Sequence, residues 1–149
     1  MSVPHPGTDP NARLYAQLKR DVLERVPQIT AVEFVPDRIE AQRLRATVAP
    51  ERLTPPSGPE PPELDIVWYR QTPHDWFRVD YADPNTGFHV GWHQDETHPD
   101  LGRAHVQYTV NDENTVDNET THRPVSFESD TPSLVLWEIV DSLLTELHP

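Results

Sequence analysis

The stretch LDIVWYRQTPHDWFRVDYADPNTGFHVGWH, residues 64–93, decides the fold. Three runs within it, LDIVWYR (64–70), DWFRVDY (75–81) and GFHVGWH (87–93), alternate apolar and polar side chains with the period of two that a half-buried strand requires. The joints QTPH and ADPNTG carry the proline, asparagine, aspartate and glycine that turns use, and they are too short for a crossover helix. Consecutive strands on short joints make an antiparallel meander. Downstream, RAHVQYTV (103–110) continues the alternation and RPVSFE (123–128) adds a short strand, while the polar, acidic NDENTVDNETTH (111–122) reads as a mobile loop.

Working outward, NARLYAQLKRDVLERVPQ (11–28) places Leu14, Leu18, Val22 and Val26 one turn apart, with Asp9 as cap, Pro10 at the first helical position and Pro27 as the stop. Two strands follow, over 30–35 and 42–48; in the second, Leu44, Ala46 and Val48 alternate against Arg43, Arg45 and Thr47. Residues 49–63 hold six prolines and a glycine, so they form neither a helix nor a central strand. They read as a surface linker that divides the N-terminal arm from the main sheet, or equally as a long loop inside one domain. The chain closes with SDTPSLVLWEIVDSLLTELH (129–148), where Asp130 or Thr131 caps a helix that Pro132 opens. Leu134, Trp137, Val140, Leu144 and Leu147 form its apolar face, widened by Leu136, Ile139 and Leu143. So broad a stripe needs a large partner, and the sheet offers Ile66, Trp68, Trp76 or Phe77, Phe88, Val90, Trp92, Val106 and Tyr108. The expectation is a single α+β domain, 1–149: a twisted antiparallel sheet of five to seven strands with N- and C-terminal helices packed on one face.

Composition narrows the chemistry. The chain has no cysteine, which removes disulfides, thiolate metal sites and cysteine nucleophiles. Its five glycines include no GxGxxG, Walker loop or GxSxG, against dinucleotide, P-loop and serine-hydrolase chemistry. Acidic residues outnumber basic ones 25 to 12, and Lys19 is the only lysine. Such an acidic, lysine-poor surface suits a halophile. In concentrated salt, where the screening length is about 3 Å, a net charge of −13 does not exclude a nucleic-acid partner. The start, MSVPHPGTDP, lacks the basic and apolar regions of a signal peptide and no run reaches the length of a membrane span, so a soluble, cytoplasmic protein is expected.

Residues 87–108 hold four of the eight histidines, His89, His93, His98 and His105. Alternation turns Phe88, Val90 and Trp92 to the core and His89, Gly91 and His93 outward; Arg78, Asp80, His105 and Gln107 join the outward belt. Four residues of strand separate His89 from His93 by roughly 13 Å, too far to share an ion. A divalent metal is open to His93, Asp95 and His98 around the loop, or to His93 and His105 across the hairpin. Without metal, one imidazole as base and another as acid, with Arg78 or Arg103 on a phosphate, is what a ribonuclease needs. The plainer alternative is a hydrated sheet face. His5, His74, His122 and His148 read as surface, and the tryptophans as core.

The order of LDIVWYR, WFRVDY, GFHVGWH, the His-Pro loop DETHPDLG, RAHVQY and a C-terminal amphipathic helix resembles the TumE family of toxin–antitoxin proteins, over residues 64–147. Trp92, His93, His98, Pro99 and His105 fall where that family has an aromatic-Asp segment, a His-rich loop with proline and a second histidine; here His93 replaces the aspartate. The resemblance implies a small toxin paired with a helix-turn-helix antitoxin, acting on RNA or a translation component through His93, His98 and His105, with Arg78 and Arg103 positioning phosphate. The rival expectation, from a different class, is a non-catalytic domain that binds a partner protein through its exposed sheet or C-terminal helix.

Overall fold

The computed structural model describes residues 10–110 and 119–148; Asp9, His5 and most of the acidic loop lie outside the described residues. The order is α1 (Pro10–Arg25), β1 (Ile29–Val35), β2 (Arg43–Val48), β3 (Glu63–Tyr69), β4 (Trp76–Ala82), β5 (His89–Gln94), β6 (Ala104–Val110), β7 (Glu119–Val125) and α2 (Pro132–Leu147). All seven strands form one open antiparallel sheet in sequence order. The α+β expectation holds, with seven strands. No helix among the described residues is long and apolar enough to cross a membrane.

Alternation sorts the strands into two faces. Leu44, Ala46, Ile66, Trp68, Phe77, Val79, Tyr81, Val90, Trp92 and Val106 are buried on one of them and pack with Leu18 and Val22 of α1 and Leu136, Ile139, Val140 and Leu143 of α2. Each such side chain removed from water contributes about 1.5–3 kcal/mol. Trp68 stacks on Phe77 with ring centres 4.3 Å apart. Tyr15, which the four-residue spacing of α1 does not single out, is wholly buried; its hydroxyl donates to the Gln42 carbonyl (2.9 Å) and accepts from Trp68 N–H (3.0 Å), bridging the sheet where β2 stops short of β3.

Three expectations are corrected. The proline-rich segment does not divide the molecule, because β2 pairs directly with β3. It is a folded connection: Leu53 is buried, and the Asn85 side chain accepts from Glu60 N–H, and donates to the Glu60 carbonyl, clamping the loop onto the β4–β5 turn. Second, α2 is turned relative to the expected face. Val135, Leu136, Ile139, Val140 and Leu143 are buried, whereas Leu134 and Trp137 remain 51% and 38% exposed, with the Arg25 guanidinium over the Trp137 ring. The start of that helix is apolar nearly all round, so packing against α1 rather than periodicity chooses the buried side. Third, the last strand begins at Glu119 rather than 123; its polar, β-branched Glu-Thr-Thr-His start pairs with β6 as an edge strand that also tolerates Pro124.

Candidate functional site

The face away from the helices is ordered in rows. Arg78, His93 and His105 stand directly opposite one another across β4, β5 and β6. In the next row lie Asp65, Asp80, Gly91, Gln107 and His122, across β3 to β7. Outside the sheet, the β5–β6 connection makes a short helical turn at Pro99–Leu101 and brings His98 back over β6.

Gly91 shapes the first half of the site. It sits between His89 and His93 on one side of the strand, and a Cβ there would collide with Asp80 Oδ1 and approach His93 Nε2 to 2.8 Å. With no side chain at 91, the Asp80 carboxylate leans across and accepts from both imidazoles, His93 Nε2 at 2.7 Å and His89 Nε2 at 3.2 Å. The backbone separation of the two histidines therefore misleads: their rings converge on one oxygen over the bare glycine. Burial pushes the Asp80 carboxyl up, but the hydrogen bonds and charge of His89 and His93 outweigh it and hold the group down at about 2.

The second half is a pack of imidazoles. His93 and His105 meet edge to face with ring centres 5.2 Å apart; His98 lies 4.8 Å from His105 and 4.3 Å from His122, and His105 lies 5.8 Å from His122. His105 is only 1% exposed and His93 7%, so this part of the face is not the open, hydrated surface that alternation suggests. His98 and His122 are half-buried above them. Burial lowers the His105 pKa, the neighbouring His93, His98 and His122 add to the shift, and Asp95 partly offsets it, so the ring is held neutral. Its Nε2 is buried with no hydrogen-bond partner.

The expected site residues thus divide. His93, His98 and His105 come together. Arg78 adjoins His93, yet its guanidinium donates to the buried Asp95 (3.0 Å) and stacks over Trp76. Burial raises the Asp95 carboxyl, but bonds from Thr97 and Arg78 prevail and lower it. Arg103 is directed elsewhere: it contacts His74 (2.8 Å) and Asp130 (3.7 Å) beside a groove of about 810 Å³ lined by Trp76, Gln94 and Glu96. The trio His93, Asp95 and His98 does not converge, since Asp80 holds His93 and Arg78 holds Asp95. Among the described residues no three imidazole or carboxylate groups already aim their donor atoms at one position that a metal could take. Sequence reasoning missed Asp80 as the hub and His122 as a member. The signal for His122 was available: extending the alternation back through ETTH puts it on the outward face.

Comparison with protein-family models finds no match, and neither a curated protein nor a solved structure matches the chain.

Proposed function

We propose that the chain is a small ribonuclease-like toxin, similar to the TumE family, that acts on RNA by histidine acid–base catalysis and is held in check by a helix-turn-helix antitoxin. The observation that carries this reading is the sequence of contacts Asp80–His93–His105–His98: a carboxylate orienting one imidazole at 2.7 Å, with two further imidazoles in line behind it. Breaking a phosphodiester by attack of the ribose 2′-oxygen needs a base for that hydroxyl and an acid for the departing 5′-oxygen, and imidazole serves either role near neutrality. In this reading His93, oriented by Asp80, takes the 2′-hydroxyl proton. The half-buried His98 protonates the 5′-oxygen as the P–O bond breaks, leaving a cyclic phosphate. His105 fixes the spacing between the two. Arg78 adds positive potential beside His93, and Arg103, in the adjoining groove, receives a neighbouring phosphate.

The test is expression of variants in a host that the wild-type chain arrests, together with RNA cleavage by the purified chain. Asp80→Asn and His98→Ala should each lower cleavage by at least about 100-fold with the circular dichroism unchanged. Full toxicity in the His93→Ala/His105→Ala double variant would sink the reading.

The exposed Leu134 and Trp137 on α2 favour a second reading, a partner-binding domain without catalysis. It predicts the opposite pattern: the histidine changes do little, while Leu134→Glu or Trp137→Glu breaks an assembly recovered from the native host.

A further inference from the structure

We infer that His98, His105 and His122 form the seat of a divalent late transition metal, a site separate from the Asp80–His93 pair and independent of the catalytic reading. Three imidazoles bound tetrahedrally at about 2.0–2.1 Å from one ion keep their ring centres about 5 Å apart. The three spacings here, 4.3, 4.8 and 5.8 Å, bracket that value. Packing does not need such an arrangement, because three neutral imidazoles in van der Waals contact satisfy none of one another's nitrogens in this geometry, and a buried nitrogen left unbonded costs about 1–3 kcal/mol.

The unpartnered atom points to the ligand. His105 is on the central part of the sheet, 1% exposed, and its Nε2 faces neither donor nor acceptor. A metal would satisfy that nitrogen. The two remaining ligands lie on elements that adjust easily, His98 on the β5–β6 connection and His122 on the edge strand β7, so ring rotation at the half-buried positions brings their nitrogens round while His105 stays fixed. His93, although in contact with His105, is excluded from the set because its Nε2 is bonded to Asp80.

The donor set selects the metal class. Neutral nitrogen ligands without thiolate or carboxylate suit zinc, nickel, cobalt or copper and disfavour magnesium and calcium, which take oxygen ligands. Three protein ligands on zinc leave a fourth position for water or an incoming group.

The experiment uses the untagged full-length chain, stripped with a chelator, dialysed to pH 7.5 and titrated with zinc chloride in a calorimeter, with cobalt absorption as a second measurement. One equivalent of zinc should bind at micromolar or lower concentration, and cobalt should give the intense visible bands of a tetrahedral site. His98→Ala and His122→Ala, at half-buried positions that leave the core intact, should each weaken binding by at least tenfold, whereas His89→Ala and His74→Ala should not change it. Magnesium should produce no heat. Absence of stoichiometric zinc uptake, or uptake that is insensitive to His98→Ala and His122→Ala, overturns the assignment. Because the readout is binding rather than RNA cleavage, a metal site can stand where the toxin reading fails, and the reverse.

Discussion

The two faces of this sheet are built by the same strands and stabilised in different ways. On the helix-covered face, burial of interchangeable hydrocarbon side chains suffices, and any residue of the right volume at Leu44, Val79 or Ile139 would serve. On the opposite face, burial is confined to β4–β6, and there it encloses Asp80, His93, Asp95 and His105, each with a specific partner or a conspicuous lack of one. Hydrophobic packing explains the first face completely. It explains nothing about why four imidazoles crowd the second.

The largest effect should come from the helix-covered face. Ile139→Ala removes a fully buried side chain where α2 meets the core and should cost about 2–5 kcal/mol in urea unfolding, with the histidine NMR signals of the remaining native protein unmoved. Displaced histidine signals would mean that the two faces are coupled through the sheet.

On the polar face the sharpest single change is Gly91→Ala. The added methyl has nowhere to go between Asp80 and His93, so about 1–3 kcal/mol of stability should be lost and the Asp80–His93 hydrogen bond broken. The same substitution at Gly102, where a Cβ meets nothing within 4 Å but φ is +89°, strains the backbone alone and should leave that bond intact. NMR of the His93 ring in the two variants separates a packing defect from a backbone one.

Asp80 makes the contrast a matter of pH. Its carboxyl is held at about 2 in the fold against an ordinary 3.8, so the folded state binds fewer protons than the unfolded chain between those values. The stabilisation is complete above pH 4 and is lost as pH falls to 2. At 28% side-chain exposure the loss amounts to at most about 2 kcal/mol. Urea midpoints measured from pH 5 to pH 2 should fall more steeply for the wild type than for Asp80→Asn. Parallel curves would show that the histidines do not hold the carboxylate.

Most of the architecture was legible because alternation is a local property: seven strands, their faces and the two helices follow from residue spacing in runs such as RLRATV and WFRVDY. What depends on contacts distant in sequence was not. The tilt of α2 is set by α1, more than a hundred residues earlier, and the tuck of the proline-rich loop by Asn85. The site was half legible. Outward placement of His93 and His105 follows from parity, but their burial comes from how the chain folds back over β6. The His89–Asp80–His93 convergence requires knowing that Gly91 stands opposite Asp80, which is a register, not a pattern.

The smallest expected effect lies at the other end of the Asp80 row and tests why the two ends differ. There Arg45 stands among Glu33, Glu63 and Asp65 at 3.6–3.9 Å, half-exposed and permanently charged, where β5 instead presents imidazoles to a single carboxylate. Exposed pairs of this length are worth about 0–1 kcal/mol, and near 1 M salt the screening length falls to about 3 Å. Arg45→Gln should therefore cost less than about 1 kcal/mol at low salt and nothing measurable at 1 M. The Asp80 contribution, made through hydrogen bonds at 2.7 and 3.2 Å, should survive the same salt. If the Arg45 cost persists at high salt, the ion pairs are as sheltered as the histidine contacts, and position on the face rather than the choice of imidazole governs both.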